Sequence, residues 1–169
     1  MSKAEVGIIM GSTSDLDIME EAARVLESFG NDYDMTLSSG HRSPERTIAY
    51  ARSARERGIK VIIVGAGGAA HLAGTIAALT TLPVIGVPIH SSPLGGLDAL
   101  LSTVQMPSGV AVATMAVGQA GAKNAAILAT QILALSNLDL EVKLADHKEQ
   151  MEEEVARAAE ESLQGRPSS

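Results

Sequence analysis

Short Val- and Ile-rich apolar runs alternate with longer stretches of helical periodicity along most of the chain. The apolar runs are Val6 to Met10, Tyr33 to Leu37, Val61 to Val64, Val84 to Ile89 and Val110 to Val117, and their length and β-branched content predict strands. Between them the spacing predicts helices at Asp17 to Phe29, closed by Gly30, and at Pro44 to Arg57, opened by proline and closed by Gly58. Further helices are expected at roughly Ala70 to Leu79, roughly Leu97 to Gln105, and about Gly121 to Leu135.

Strands separated by helices pair in parallel through right-handed crossovers, and strands that are apolar almost throughout need cover on both faces. The pattern therefore predicts an α/β fold: a three-layer, flavodoxin-like domain with a central parallel sheet of about five strands, plus a C-terminal helix. That domain occupies residues 1–137. Residues 138–169 form an amphipathic helix and short tail whose stripe, Leu140, Leu144, Met151, Val155 and Ala159, needs a partner surface in the same domain or in an oligomer.

Composition narrows the picture. A chain of 169 residues with 46% apolar content can bury one sizeable core, and with only 2% aromatics that core is built from aliphatic side chains. The absence of Cys excludes disulfides, thiol catalysis and thiolate metal sites. Neither a basic leader followed by an apolar stretch nor a run of membrane-spanning length is visible, so a cytoplasmic protein without membrane contact is expected. Net charge is −7, with nine acidic against four basic residues after Asn137, and no broad basic face for nucleic acid.

Ligands of open parallel sheets bind beyond the carboxyl ends of the strands, where strand order reverses. Gly11-Ser12-Thr13-Ser14-Asp15 follows the first strand and combines a permissive Gly, three hydroxyls and a helix start, a setting for phosphate or sugar hydroxyls in which Ser14 and Asp15 equally suit ordinary caps. Ser38-Ser39-Gly40-His41-Arg42-Ser43-Pro44 follows the second strand and places a titrating imidazole beside a permanent cation. Arg can fork onto a phosphate, and His can exchange a proton near neutral pH. Gly65-Ala66-Gly67-Gly68-Ala69-Ala70-His71-Leu72, after the third strand, is nearly free of side chains, so a planar ligand can approach its N–H groups. Its spacing does not fit a dinucleotide fingerprint. His90 and His147 complete no metal-binding pattern, and no Walker loop is present, so neither metal nor cofactor is expected.

Five ordered motifs carry a family resemblance: Met10 to Asp15, Ser39 to Pro44, Gly65 to Leu72, Leu82-Pro83-Val84-Ile85-Gly86-Val87-Pro88, and Leu100 to Pro107. Over about Val6 to Leu135 the chain resembles the class I N5-carboxyaminoimidazole ribonucleotide mutases of bacterial purine biosynthesis. The resemblance implies transfer of a carboxylate from an exocyclic nitrogen to a ring carbon of an aminoimidazole ribonucleotide, without ATP, metal or biotin. It implies His41 as general acid and base. Ser12, Ser14, Asp15, Ser39 and Arg42 would hold the nucleotide, and the Gly67, Ala70, His71 and Leu72 segment the carboxylate or carbon dioxide. It further implies a homo-octamer. The chain differs from the usual family pattern at Gly40, Ser43, Ala73 and Ala99. Arg42 and the full Gly65 to His71 run favour the mutase over related enzymes that carboxylate aminoimidazole ribonucleotide directly. A flavin carrier would want aromatic stacking partners and a receiver domain an acidic cluster after the first strand; a non-catalytic nucleotide-binding module on the same scaffold would be told apart by turnover.

Overall fold

The computed structural model describes residues 3–164. Five strands form one all-parallel sheet in the order β2-β1-β3-β4-β5, with β1 at Val6–Met10, β2 at Tyr33–Leu37, β3 at Val61–Gly67, β4 at Val84–Ile89 and β5 at Ala113–Thr114. The helices are α1 (Leu16–Phe29), α2 (Pro44–Arg57), α3 (Leu72–Ala77), α4 (Leu97–Val104), α5 (Gln119–Ala134) and α6 (Leu138–Gln164), with a 3-10 turn at Thr13–Asp15. The expected three-layer, flavodoxin-like architecture with a C-terminal helix is the one observed. The short tail expected beyond α6 lies outside the described residues.

Local chemistry explains most boundaries. Gly30 and Gly58 close α1 and α2 at φ 80 and 98, where a side chain would be strained, and their N–H groups cap the last carbonyls. Two elements are shorter than their apolar patterns predict. The α3 helix starts at Leu72, not Ala70, because Ala70 sits at φ 35 in the left-handed region and belongs to a turn closed by its N–H on the Gly67 carbonyl (3.2 Å). β5 keeps only Ala113–Thr114 of the expected Val110 to Val117. By the register that pairs Ile85 with Ala113, residues 110 and 111 precede the point where β4 begins, and Gly86, which accepts from Met115 N–H (2.8 Å), is followed two positions on by Pro88. Proline has no N–H to continue that side of the ladder, so the chain leaves the sheet.

By packing, the chain divides into two compact units, one reaching Ile132 and the other starting at Leu133. In the first, alternation along the strands sends Ile9, Ile62 and Val64 to one face, where they join Ala51 and Ala54 of α2, Leu72, Ala73 and Ile76 of α3, and Ala99 of α4. Both Ala73 and Ala99, the family departures on helices, are thus packing positions. Alternate strand residues such as Ile8, Met10 and Ile63 are equally buried on the other face. A buried hydrogen bond from Asn31 Nδ2 to Thr130 Oγ1 (2.8 Å) ties the start of β2 to α5. In the second unit, α6 carries the stripe expected of it: Leu140 is buried, while Met151 and Val155 are exposed in the single chain.

Gly7 shows how tightly the sheet is covered. A methyl there would run into the hydroxyl of Tyr50, whose ring lies under the Arg57 guanidinium at 4.4 Å, while Arg57 also pairs with Asp34. Burial first, then the Asp34 charge, pushes the Tyr50 phenol up to about 12, with the neighbouring Arg57 guanidinium opposing the rise. Gly7→Ala is expected to cost about 1–3 kcal/mol in denaturant unfolding. The same change made in Tyr50→Phe should cost less than half as much, a coupling of neighbours read from the double-mutant cycle.

Candidate active site

Because β1 connects to β2 on one side of the sheet and the chain then crosses to β3 on the other, the loops after β1 and β3 part and leave a crevice between them. A cleft of about 400 Å³ opens there. The structure brings every site residue expected from the sequence to this cleft: Ser12, Ser14 and Asp15 after β1, Ser39, His41 and Arg42 after β2, and Gly67, Ala70, His71 and Leu72 after β3. Gly11, Gly40, Ala66 and Ser91 complete the lining. Ser91 went unrecognised in the sequence. The strand-end rule would have found it, applied to β4 as it was to the first three strands.

The β1 loop is a hydroxyl cluster against a buried acid. Ser12 Oγ accepts from Ser14 N–H (3.3 Å), and the Ser14 hydroxyl lies 2.9 Å from Ser12 Oγ and 3.2 Å from Asp15 Oδ1. With one proton, that hydroxyl serves one acceptor at a time. Asp15 is only 3% exposed. Burial raises its pKa above the ordinary 3.8, opposed by hydrogen bonds from Ser14 and the Ser12 backbone and by the Arg42 charge.

Three contacts fasten Arg42: its Nη2 donates to the Gly11 carbonyl (2.7 Å), and its N–H and Nε approach Ser39 Oγ at 3.2 and 3.4 Å. The side chain therefore bridges the β1 and β2 loops. Ser43 staples the base of the same loop, accepting from Ser39 N–H (2.9 Å) while its own N–H reaches the Ser39 carbonyl (2.9 Å). Beneath it, Ser38 and Thr47 share a buried hydroxyl hydrogen bond of 2.8 Å. Gly40 has no positive φ, and a methyl there would meet Leu72 Cδ1 at an ordinary 3.7 Å, so neither backbone conformation nor space demands glycine.

His41 and His71, thirty positions apart, meet across the cleft. Nε2 of His41 lies 2.8 Å from Nδ1 of His71, and the rings stand edge-on at 86° with centroids 4.9 Å apart. In a neutral pair one nitrogen donates and the other accepts, leaving His41 Nδ1 and His71 Nε2 open to a ligand. In the turn between Gly67 and Ala70, outside the lining of the cleft itself, the N–H groups of Gly68 and Ala69 donate to no main-chain acceptor among the described residues. Cation, imidazole pair and hydroxyls thus border one space, suited to a phosphorylated ligand and a proton transfer.

Comparison with known proteins places this arrangement. Residues 5–154 match the family model described as AIR carboxylase. A curated relative from Pyrococcus horikoshii, named N5-carboxyaminoimidazole ribonucleotide mutase, is 58% identical over 93% of this chain and 88% of its own length. One of the same name from Bacillus subtilis is 54% identical over 92% of this chain and 96% of its own. Among solved structures, PurE of Treponema denticola superposes with a TM-score of 0.81 at 28% identity, covering 96% of this chain and 98% of that one. The chain belongs to the AIR carboxylase family.

Proposed function

We propose that the chain is an N5-carboxyaminoimidazole ribonucleotide mutase, converting its substrate to 4-carboxy-5-aminoimidazole ribonucleotide in purine biosynthesis, with His41 as the proton-transfer group. The relatives named for that reaction align over nearly the whole chain. The observation that carries the assignment of His41 is its position, opposite the Gly67 to Leu72 loop and beside Arg42, in a cleft formed at the strand ends. Arg42 and the Ser12, Ser14 and Ser39 hydroxyls would take the phosphate, with Asp15 on the ribose hydroxyls. His41 would protonate the carbamate nitrogen as the nitrogen–carbon bond breaks, releasing carbon dioxide against the loop. The ring carbon would then attack carbon dioxide, and His41 would take back the proton that this carbon loses.

The reaction consumes no net proton, so one imidazole closes the cycle and no second acid is required. His41→Asn is therefore expected to lower kcat by at least about 10²-fold, while nucleotide affinity stays within roughly tenfold, about 1.4 kcal/mol. His71→Asn, which removes only the ring facing His41, should keep turnover within about tenfold. Turnover retained in His41→Asn and lost in His71→Asn would transfer the role.

Asp15 makes a separate expectation. A carboxyl whose folded pKa is raised binds its proton better in the fold, so stability declines as pH climbs from the ordinary 3.8 through the raised value and stays lower above it. Asp15→Asn should accordingly be more thermally stable than the parent at pH 7, with the gap closing below pH ~4, and should bind nucleotide more weakly. A variant less stable at neutral pH would refute the burial argument.

The chain is read as cytoplasmic; no helix among the described residues is long and apolar enough to cross a membrane. Its partners are the ribonucleotide and further copies of itself in a homo-octamer. Leu97, Leu101 and Val104 of α4, exposed on one helical face, and Met151 and Val155 of α6 would be covered by neighbouring subunits. Light scattering should give a mass near eight chains, and a monomeric mass would remove the octamer.

A further inference from the structure

Three of the four serines that line the cleft are already engaged: Ser12 with Ser14, Ser14 with Ser12 or Asp15, and Ser39 with Arg42. The fourth, Ser91, is exposed just past the end of β4, where its N–H turns back onto the Ile89 carbonyl (3.0 Å). Its hydroxyl has no hydrogen-bond partner among the described residues. That hydroxyl stands where a side chain on Gly67 would be: a methyl built there would collide with Ser91 Oγ and lie 2.8 Å from Ser91 Cβ. The missing side chain of Gly67 is thus what admits the Ser91 hydroxyl to the main chain of the β3 loop.

We propose that Ser91 contacts the substrate directly, its hydroxyl donating a hydrogen bond to the migrating carboxylate beside the Gly67 to Ala70 main chain. The inference rests on placing the carboxylate at that loop, as argued above. A carboxylate offers about four lone-pair directions, and at the β3 side of the cleft, lined by Ala66, Gly67 and Ala70, Ser91 supplies a hydroxyl donor. A hydroxyl bonded to an anion makes a shorter and stronger bond than one bonded to a neutral acceptor. The Ser91 bond is therefore strong while the group is a carboxylate on nitrogen or on carbon and weak while it is neutral carbon dioxide. It holds both end states without trapping the intermediate.

The test compares affinity for two nucleotides, the 4-carboxy product and aminoimidazole ribonucleotide, which lacks the carboxylate, and measures the fraction of turnovers that release the uncarboxylated nucleotide. Because the Ser91 hydroxyl is exposed and supports no other group, Ser91→Ala should fold normally. It is expected to bind the 4-carboxy nucleotide about tenfold more weakly, to keep its affinity for aminoimidazole ribonucleotide within about twofold, and to release more of the latter during turnover. Ser91→Thr, which retains a hydroxyl on the same carbon, should recover most of the loss. Ala70→Gly, which frees the left-handed turn, reports on the loop itself. If Ala70→Gly changes the ratio of the two affinities and Ser91→Ala does not, the loop keeps the carboxylate and the Ser91 assignment falls. If neither variant changes it, the carboxylate lies elsewhere and both assignments fall.

Discussion

A parallel sheet buried on both faces can present chemistry only at its strand ends, and this constraint organises the whole molecule. β1, β3 and β4 have no exposed face to lend to a ligand, because helices cover both sides and nearly every strand residue is buried. Each strand therefore delivers its functional residues where it stops, and the reversal of order between β1 and β3 holds those stops apart as a crevice. The scaffold needs few polar residues for this. A buried Ser38–Thr47 pair, the Ser43 staple and the Arg42 bridge are enough to shape the loop that carries His41.

Stability is given up locally at the cleft. Asp15 is a buried acid held by weak opposing hydrogen bonds, and Ala70 is the one described non-glycine residue at positive φ, a conformation that costs about 1–3 kcal/mol. Both border the same cleft. The surrounding core, with Ile9, Ile62, Val64, Leu72 and Ile76 buried in one cluster, supplies the rigidity that keeps such residues in place.

Residues with strong local rules were legible in the sequence. Pro44 and Gly58 bracket α2 at the expected positions, and the apolar runs marked β1, β2 and β4 to the residue. Boundaries failed where the deciding fact was nonlocal or conformational. Nothing in the Ala-rich composition around Ala70 announces its left-handed φ, and Pro88 shortens β5 only through a register between strands. The grouping of loops into one site followed from the strand-end rule, whereas the His41–His71 hydrogen bond spans two loops whose geometry no spacing encodes. Ser91 was within reach of the strand-end rule as a residue just past β4, but its contact over Gly67 is visible only in the structure.

The proposed transfer takes the carboxylate from nitrogen to carbon within the cleft, without exchange of carbon dioxide with the solution. It is tested most directly by supplying carbamate substrate with a ¹³C-labelled carboxylate, in excess unlabelled bicarbonate, and reading the label in the 4-carboxy product by mass spectrometry. Retention of the label in nearly all product molecules is the outcome this account requires. Product carrying the isotope ratio of the solution would show that carbon dioxide escapes and returns, and would contradict it.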